Sequence, residues 1–113
     1  MLTANLHQKS HIEELLMRKF QLPAHQIGFE ALVLALLLCL ERDIRYYSVE
    51  LYPAIARITG QPEDGKAVAE AIHQVILKGY DSSSETWKIY FPNHTHAPSN
   101  KVFISTLVIY LKQ

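Results

Sequence analysis

The sequence predicts an all-α domain of about six helices, and three observations support this prediction. Apolar residues recur at helical spacing along most of the chain. Glycine, proline and capping residues divide the chain into segments of ordinary helix length. The 113 residues are 49% hydrophobic, which suffices for a core without disulfides. Since no repeat or linker interrupts this pattern, we expect one domain over residues 1–113.

The first predicted helix covers residues 11–20. Its apolar side chains recur at spacings of three and four, which is typical of a helix with one face in a core. The residues on this side are Ile12, Leu15, Leu16, Lys19 and Phe20. The Leu22-Pro23 pair ends the helix, because proline cannot donate the next helical hydrogen bond.

The second predicted helix runs from about Pro23 to Arg42. Its centre, from Ala31 to Leu40, is ten uncharged residues that are apolar all round, so we expect burial on every side. A run of ten is too short to span a membrane. The only cysteine, Cys39, lies in it and is interpreted as a small buried hydrophobe. The lone thiol and the lack of a signal-peptide pattern favour a cytoplasmic location.

The third and fourth predicted helices are joined by a turn that contains glycine. The third covers Ser48 to Thr59, with Ser48 as its N-cap, and Gly60 ends it in a left-handed conformation. The fourth covers Pro62 to Lys78, because a proline followed by two acids is a strong helix start. We expect Gly79 to end this helix.

Two further segments complete the six predicted helices. Residues 85–91 predict a short helix, although the run WKIYF alternates enough to suit a strand. Residues 92–99 are a loop, after which Ser99 or Asn100 caps a last helix over residues 101–112. This last segment is rich in β-branched residues, so a strand stays the alternative there.

The helix pair at about residues 48–79 matches the pattern of a helix-turn-helix. Ala56 is the small residue expected where the helices cross, Gly60 is the turn glycine, and Val68 and Ile72 anchor the second helix to the core. The spacing from Gly60 to Val68 is about two residues longer than in the usual unit. A plain helical hairpin is the alternative explanation.

Candidate DNA contacts lie on the fourth helix and at the start of the last one. The chain as a whole is neutral, with 11 basic and 11 acidic residues, so no general basic footprint attracts nucleic acid. No acid follows Glu85, and the start of the last helix offers backbone N–H groups beside a lysine, which suits phosphate binding. An ordinary capped surface helix is the alternative. The candidate residues are Lys66, Glu70, His73, Gln74, Lys78, Ser99, Asn100 and Lys101.

The sequence carries no motif of an enzyme or a metal site. His7 and His11 share a helix face, and His94 and His96 share a loop, but neither pair has a third ligand at an established spacing. A glycine-rich phosphate loop, a nucleophile elbow and an HExxH motif are all missing from the sequence. We therefore expect no catalysis, cofactor, metal, small-molecule substrate or membrane partner.

Several short words in the sequence occur in an order that resembles a known family. They are PAH-x-x-GF at residues 23–29, LYP-x-IA at 51–56, Ala71-Ile72, APSN at 97–100, and Phe103-Ile104. Together they resemble the C-terminal effector domain of the stage zero sporulation protein A family, the sporulation response regulators of endospore-forming bacteria. The resemblance covers about residues 11–111.

This resemblance implies a six-helix domain whose helix-turn-helix binds double-stranded promoter DNA and regulates transcription, as a dimer or in tandem. It also implies that residues 81–96 contact the sigma subunit of RNA polymerase. The family carries arginines where Ala67, Glu70 and His73 stand here, so the resemblance implies weakened or altered base recognition. The alternating strand-helix pattern of a receiver domain is missing from this sequence.

A function of another class stays open beside DNA binding. A domain without a basic recognition surface can keep the fold and bind protein, through self-association or by binding polymerase or a full-length regulator. The neutral charge and the acidic start of the fourth predicted helix favour this alternative.

Overall fold

The computed structural model describes residues 6–61, 65–82 and 84–113, and every regular element in these ranges is helical. Two π-helical turns, Leu15–Lys19 and Tyr47–Leu51, extend the α-helices. The predicted all-α class is confirmed, and the strand alternatives for residues 85–91 and 101–112 are wrong. The α-helices are α1 (Leu6–Glu14), α2 (Ile27–Glu41), α3 (Tyr52–Thr59), α4 (Lys66–Tyr80), α5 (Glu85–Tyr90) and α6 (Asn100–Leu111).

Helix α2 is the centre of the fold. Every residue from Gly28 to Cys39 except Glu30 is buried. The helix packs against α1, α3, α4 and α6, most extensively against α4. The predicted burial on every side is confirmed, but the predicted start at Pro23 is wrong. Pro23 instead opens a turn, in which the Gln26 N–H donates to the Pro23 carbonyl at 3.2 Å.

Helix α1 begins before the predicted residue 11 and ends in the π-helical turn. Ile12, Leu16 and Phe20 are fully buried, so the predicted inner side is confirmed for them. In the π turn the Phe20 N–H donates to the carbonyl of Leu15, five residues back, at 3.2 Å. This wider turn carries the chain round so that Phe20, just after it, still reaches the core.

The turn between α3 and α4 depends on two glycines with positive φ. Gly60 has φ 74° and ends α3, as predicted. Gly65 has φ 76° and lies just before α4, which begins at Lys66. A Cβ atom on Gly65 would lie 2.7 Å from the Tyr52 Cβ, which shows that the turn packs on the start of α3. The predicted helix start at Pro62 to Asp64 lies outside the described residues.

Gly79 does not end α4, which continues to Tyr80. The segment that follows α1 passes close to it, because a Cβ atom on Gly79 would overlap the Leu22 side chain and lie 3.2 Å from the Phe20 carbonyl oxygen. Gly79 therefore allows α4 and the Phe20–Leu22 segment to approach closely. The predicted helix end at this glycine is wrong.

The third helical segment begins after Tyr46, and the side chain that binds backbone N–H groups at this start is Glu50 rather than Ser48. Ser48 lies inside the π turn, so its predicted role as N-cap is wrong. The Glu50 Oε1 accepts hydrogen bonds from the N–H groups of Tyr46 at 2.9 Å and Arg45 at 3.1 Å. These two bonds favour the carboxylate and lower the pKa of Glu50.

An aromatic cluster around Phe20 connects α5 and α6 to the end of the π turn. The ring of Phe20 lies 4.9 Å from that of Trp87, 5.0 Å from that of Tyr90 and 5.3 Å from that of Phe103, each in an edge-on arrangement. The Trp87 Nε1 also donates to the Phe20 carbonyl at 3.1 Å. Phe20 therefore joins the two C-terminal helices, α5 and α6, to the core.

Candidate nucleic-acid interface

The N-terminal ends of α4 and α6 lie side by side. The Asn100 Nδ2, in the first residue of α6, donates to the Ala69 carbonyl in α4 at 2.9 Å. Ala69 is only three residues beyond Lys66, so the first turns of the two helices meet. Both ends present backbone N–H groups and the positive end of a helix dipole. Two groups of residues predicted separately from the sequence are thus brought together.

One face of α4 carries most of the predicted base contacts. Lys66, Glu70, Gln74 and Lys78 are exposed and follow one another at a spacing of four, so they form a single line along the helix. His73 is half-buried beside this line. The Gln74 Nε2 donates to the Glu70 Oε2 at 2.9 Å, so these two side chains act as a pair.

The opposite face of α4 holds the helix in the core. Val68 and Ile72, the predicted anchors, are buried, and so are Val75 and Ile76 one turn further on. Ala56, predicted at the helix crossing, is also fully buried. The exposed line therefore cannot rotate inward without exposing this apolar face.

Lys78 lies apart from the other candidates. The 15 residues of α4 extend for roughly 20 Å, and Lys78 is near the end that lies away from α6's first turn. The predicted residues therefore form three groups. Lys66 lies with the α6 candidates at the two helix starts, Glu70, His73 and Gln74 follow along α4, and Lys78 lies at its far end.

The start of α6 has a distinct role for each of its three candidates. The Ser99 hydroxyl accepts from the Val102 N–H at 3.2 Å, which confirms Ser99 as the N-cap. Asn100 is half-buried, and no donor among the described residues reaches its Oδ1. The exposed Lys101 places its Nζ 5.8 Å from the centre of the Tyr47 ring, within cation–π range. Of these three residues, Lys101 alone carries an exposed charge.

A neutral layer lies behind these helix starts. The rings of Tyr47 and Tyr52 are 6.1 Å apart and edge-on, and the Tyr47 hydroxyl is next to the thiol of Cys39. Burial raises the pKa of all three groups, so they stay uncharged at neutral pH. The predicted burial of Cys39 is confirmed. The charge of this surface comes from its lysines and Glu70.

Sequence reasoning missed the contacts that orient these residues. Asn100 and Ala69 are 31 positions apart, and the acceptor is a backbone carbonyl, which leaves no residue signature. Lys101 and Tyr47 are likewise far apart in the chain. The only available signal was the APSN word, which marks the helix start but not its neighbour.

Comparison with known proteins adds no assignment to this surface. No protein-family model, curated protein or solved structure matches the chain. In residues 6–61, 65–82 and 84–113, no three His, Cys, Asp or Glu side chains form a group that could hold a metal ion. Nor is any helix in these ranges long and apolar enough to cross a membrane.

Proposed function

We propose that this chain is a DNA-binding domain of the helix-turn-helix type that regulates transcription, similar to sporulation response regulators but with altered base recognition. The observation that carries the proposal is the fastening of α6's first turn to α4's first turn by Asn100. It places two helix N-termini and Lys101 on one end of the molecule, beside the exposed line of α4.

In this proposal the exposed line of α4 enters the major groove with its N-terminal residues first. The first turn of α4 contains Lys66 and no acid, which suits approach to phosphates. The Glu70 carboxylate can accept from a cytosine amino group, and Gln74 can pair with adenine. Because α4 carries no arginine, the strong bidentate contact to guanine is missing, which supports altered recognition.

The start of α6 then holds the DNA backbone. Its free N–H groups and Lys101 contact phosphate, which fixes orientation without reading sequence. Contact with the polymerase sigma subunit, formation of a homodimer and a cytoplasmic location stay predictions.

The first test replaces Lys101 by alanine in a fluorescence anisotropy titration with a random-sequence duplex. The unchanged chain is expected to bind in the micromolar range at about 50 mM salt and at least about tenfold more weakly at 200 mM, because phosphate contacts release counterions. Lys101→Ala is expected to weaken binding about fivefold at low salt and to flatten the salt slope by about one unit, whatever the sequence.

The matched control is Lys112→Ala. This exposed lysine follows the last residue of the same helix, about 16 Å along the axis from Lys101. Equal losses in the two variants would mean that binding is diffuse and that the start of α6 is not a phosphate site. No binding of the unchanged chain at low salt would overturn the proposed function.

A second variant tests whether α4 itself faces the DNA. Glu70→Arg replaces a repelling charge on the exposed line by an attracting one, and we expect binding to the same duplex to tighten about threefold to tenfold. Glu85→Arg, an equal charge change on exposed α5, serves as the control and is expected to change affinity far less. If the two variants have the same effect, α4 does not enter the groove.

A protein-interaction module is the second candidate, and the outer face of α6 favours it. Val102 and Ile109, seven residues apart and so on the same side of this helix, are 39% and 60% exposed, and the whole chain is neutral. Apolar side chains grouped on one surface are typical of protein contacts. Absence of DNA binding together with concentration-dependent association in analytical ultracentrifugation would support this candidate over the first.

A further inference from the structure

The side chains of Glu70 and Gln74 form a hydrogen-bonded pair within the exposed line of α4. The Gln74 Nε2 donates to the Glu70 Oε2 at 2.9 Å. Both side chains are exposed, and a spacing of four places them one above the other on the same face of the helix. The buried Ile72 and Val75 hold the opposite face in the core. A molecule that binds this face of α4 therefore meets the two polar groups together.

The bond fixes which way the Gln74 amide faces. A carboxylate accepts hydrogen bonds and donates none, so the amide must turn its NH₂ group toward Glu70. If the amide turned over, its Oε1 would face the carboxylate, and two acceptors would repel each other. The NH₂ group keeps a second proton for another acceptor. An amide held in this way offers a donor beside an acceptor, which complements N7 and the amino group of adenine.

The Glu70 carboxylate discriminates between bases through the donors that it lacks. In the major groove, adenine and cytosine present amino groups, whereas guanine and thymine present the O6 and O4 acceptors. The carboxylate can accept from an amino group, but it repels a keto oxygen. Between Glu70 and Gln74 the chain has Ala71, Ile72 and His73, of which His73 is half-buried beside the line. The part of α4 between its two lysines therefore favours amino groups over keto oxygens.

The spacing of the pair fits neighbouring base pairs. Four residues of an α-helix rise about 6 Å, and successive base pairs are about 3.4 Å apart. We propose that the pair selects DNA in which adenine faces Gln74 and cytosine, one or two base pairs away, faces Glu70, and that Glu70 is a positioning residue for Gln74. This inference rests on the proposed function and states which sequences the altered recognition prefers. The choice of adenine thus depends on the neighbouring carboxylate as well as on Gln74.

The test is selection by the full chain from a duplex library whose randomised core is about one turn of DNA, at about 50 mM salt. Anisotropy titrations then compare the enriched duplex with its single-base variants. We expect a cytosine and an adenine one or two base pairs apart. Changing this adenine to guanine, or this cytosine to thymine, replaces an amino group by a keto oxygen. Each change is expected to weaken binding at least about fivefold.

Glu70→Gln is the decisive variant, because it keeps the size of the side chain and removes the charge. We expect the preference for cytosine over thymine and the preference for adenine over guanine both to fall at least about threefold, since a second amide no longer fixes Gln74. Binding to a random-sequence duplex is expected not to weaken, because a repelling charge is lost, and this shows that the variant is folded. Gln74→Leu is expected to remove the adenine preference and to keep that for cytosine.

Glu85→Gln, the same change on α5, is the matched control and is expected to leave both preferences unchanged. If the chain binds the random-sequence duplex but enriches no site, or enriches guanine and thymine at these positions, the proposal fails while DNA binding stands. A Glu70→Gln variant that loses only the cytosine preference would show that Glu70 does not position Gln74. If the unchanged chain binds no duplex at low salt, the proposed function and this inference both fail.

Discussion

Replacing Phe20 by alanine is expected to lower the free energy of unfolding by about 3–5 kcal/mol. Phe20 is fully buried, and its ring contacts those of Trp87, Tyr90 and Phe103. Truncation leaves a cavity at the junction of the π turn, α5 and α6, and removes several edge-on ring contacts. Since a domain of this size is stable by about 5–15 kcal/mol, this loss is a large share of the total stability. Urea denaturation followed by circular dichroism and tryptophan fluorescence measures the loss.

Two comparisons show whether the loss comes from the cavity. Phe20→Leu keeps most of the buried volume, and we expect it to cost less than half as much as Phe20→Ala. Met17→Ala changes an exposed side chain in the same π turn, and we expect a change of about 0.5 kcal/mol or less. If Phe20→Ala costs no more than Met17→Ala, Phe20 is not the centre of the aromatic cluster.

Replacing Gly28 by alanine is expected to destabilise the domain by about 2–3 kcal/mol. A Cβ atom at this position would overlap the Ala71 carbonyl oxygen and lie 2.7 Å from the Val75 Cγ2. Both atoms belong to α4, and one is backbone, so α2 and α4 must move apart. Helix propensity alone predicts the opposite sign, because alanine is better than glycine inside a helix by about 1 kcal/mol. The sign of the change in the free energy of unfolding, measured by urea titration, therefore shows whether the clash with α4 or helix propensity dominates.

Gly60→Ala is the matched comparison for Gly28→Ala. Nothing lies within 4 Å of a Cβ atom at Gly60, so only the positive φ of 74° opposes a side chain there. We expect a loss of about 1–2 kcal/mol, partly recovered in Gly60→Asn, because asparagine tolerates the left-handed region. A neutral or stabilising Gly28→Ala would show that α2 and α4 are not in backbone contact at this point.

The contacts that stabilise the domain also position the proposed DNA surface. The approach of Gly28 to Ala71 sets α4 against α2, and α4 carries the exposed line proposed to read DNA. Phe20 holds Trp87 through its ring and its carbonyl, and the Trp87 ring lies 5.4 Å from that of Phe103 in α6, the helix whose start carries Lys101. Variants of either residue must therefore be compared with the unchanged chain under conditions where both are folded.

Features that depend on neighbours in the chain were predictable from the sequence. The run from Ala31 to Leu40 predicted a helix buried on every side, because apolar residues cover its whole circumference. Gly60 and Ser99 were identified as a helix end and a helix cap because left-handed backbone and N-cap hydrogen bonds are local requirements. The candidates on α4 were likewise chosen as the exposed residues of a predicted helix, and Lys66, Glu70, Gln74 and Lys78 form one exposed line at a spacing of four.

Features that depend on distant segments required the tertiary structure. A glycine such as Gly79 is typical of a helix end. In the fold, however, Gly79 lies inside α4, where the Phe20–Leu22 segment packs against it. The β-branched α6 is helical because its inner side packs on α2 and α4, and no sheet is present in the described residues to pair with it. The bond from Asn100 to Ala69 joins groups 31 positions apart. Spacing along the chain predicts which residues share a face of a helix, whereas packing between helices determines which helix ends meet.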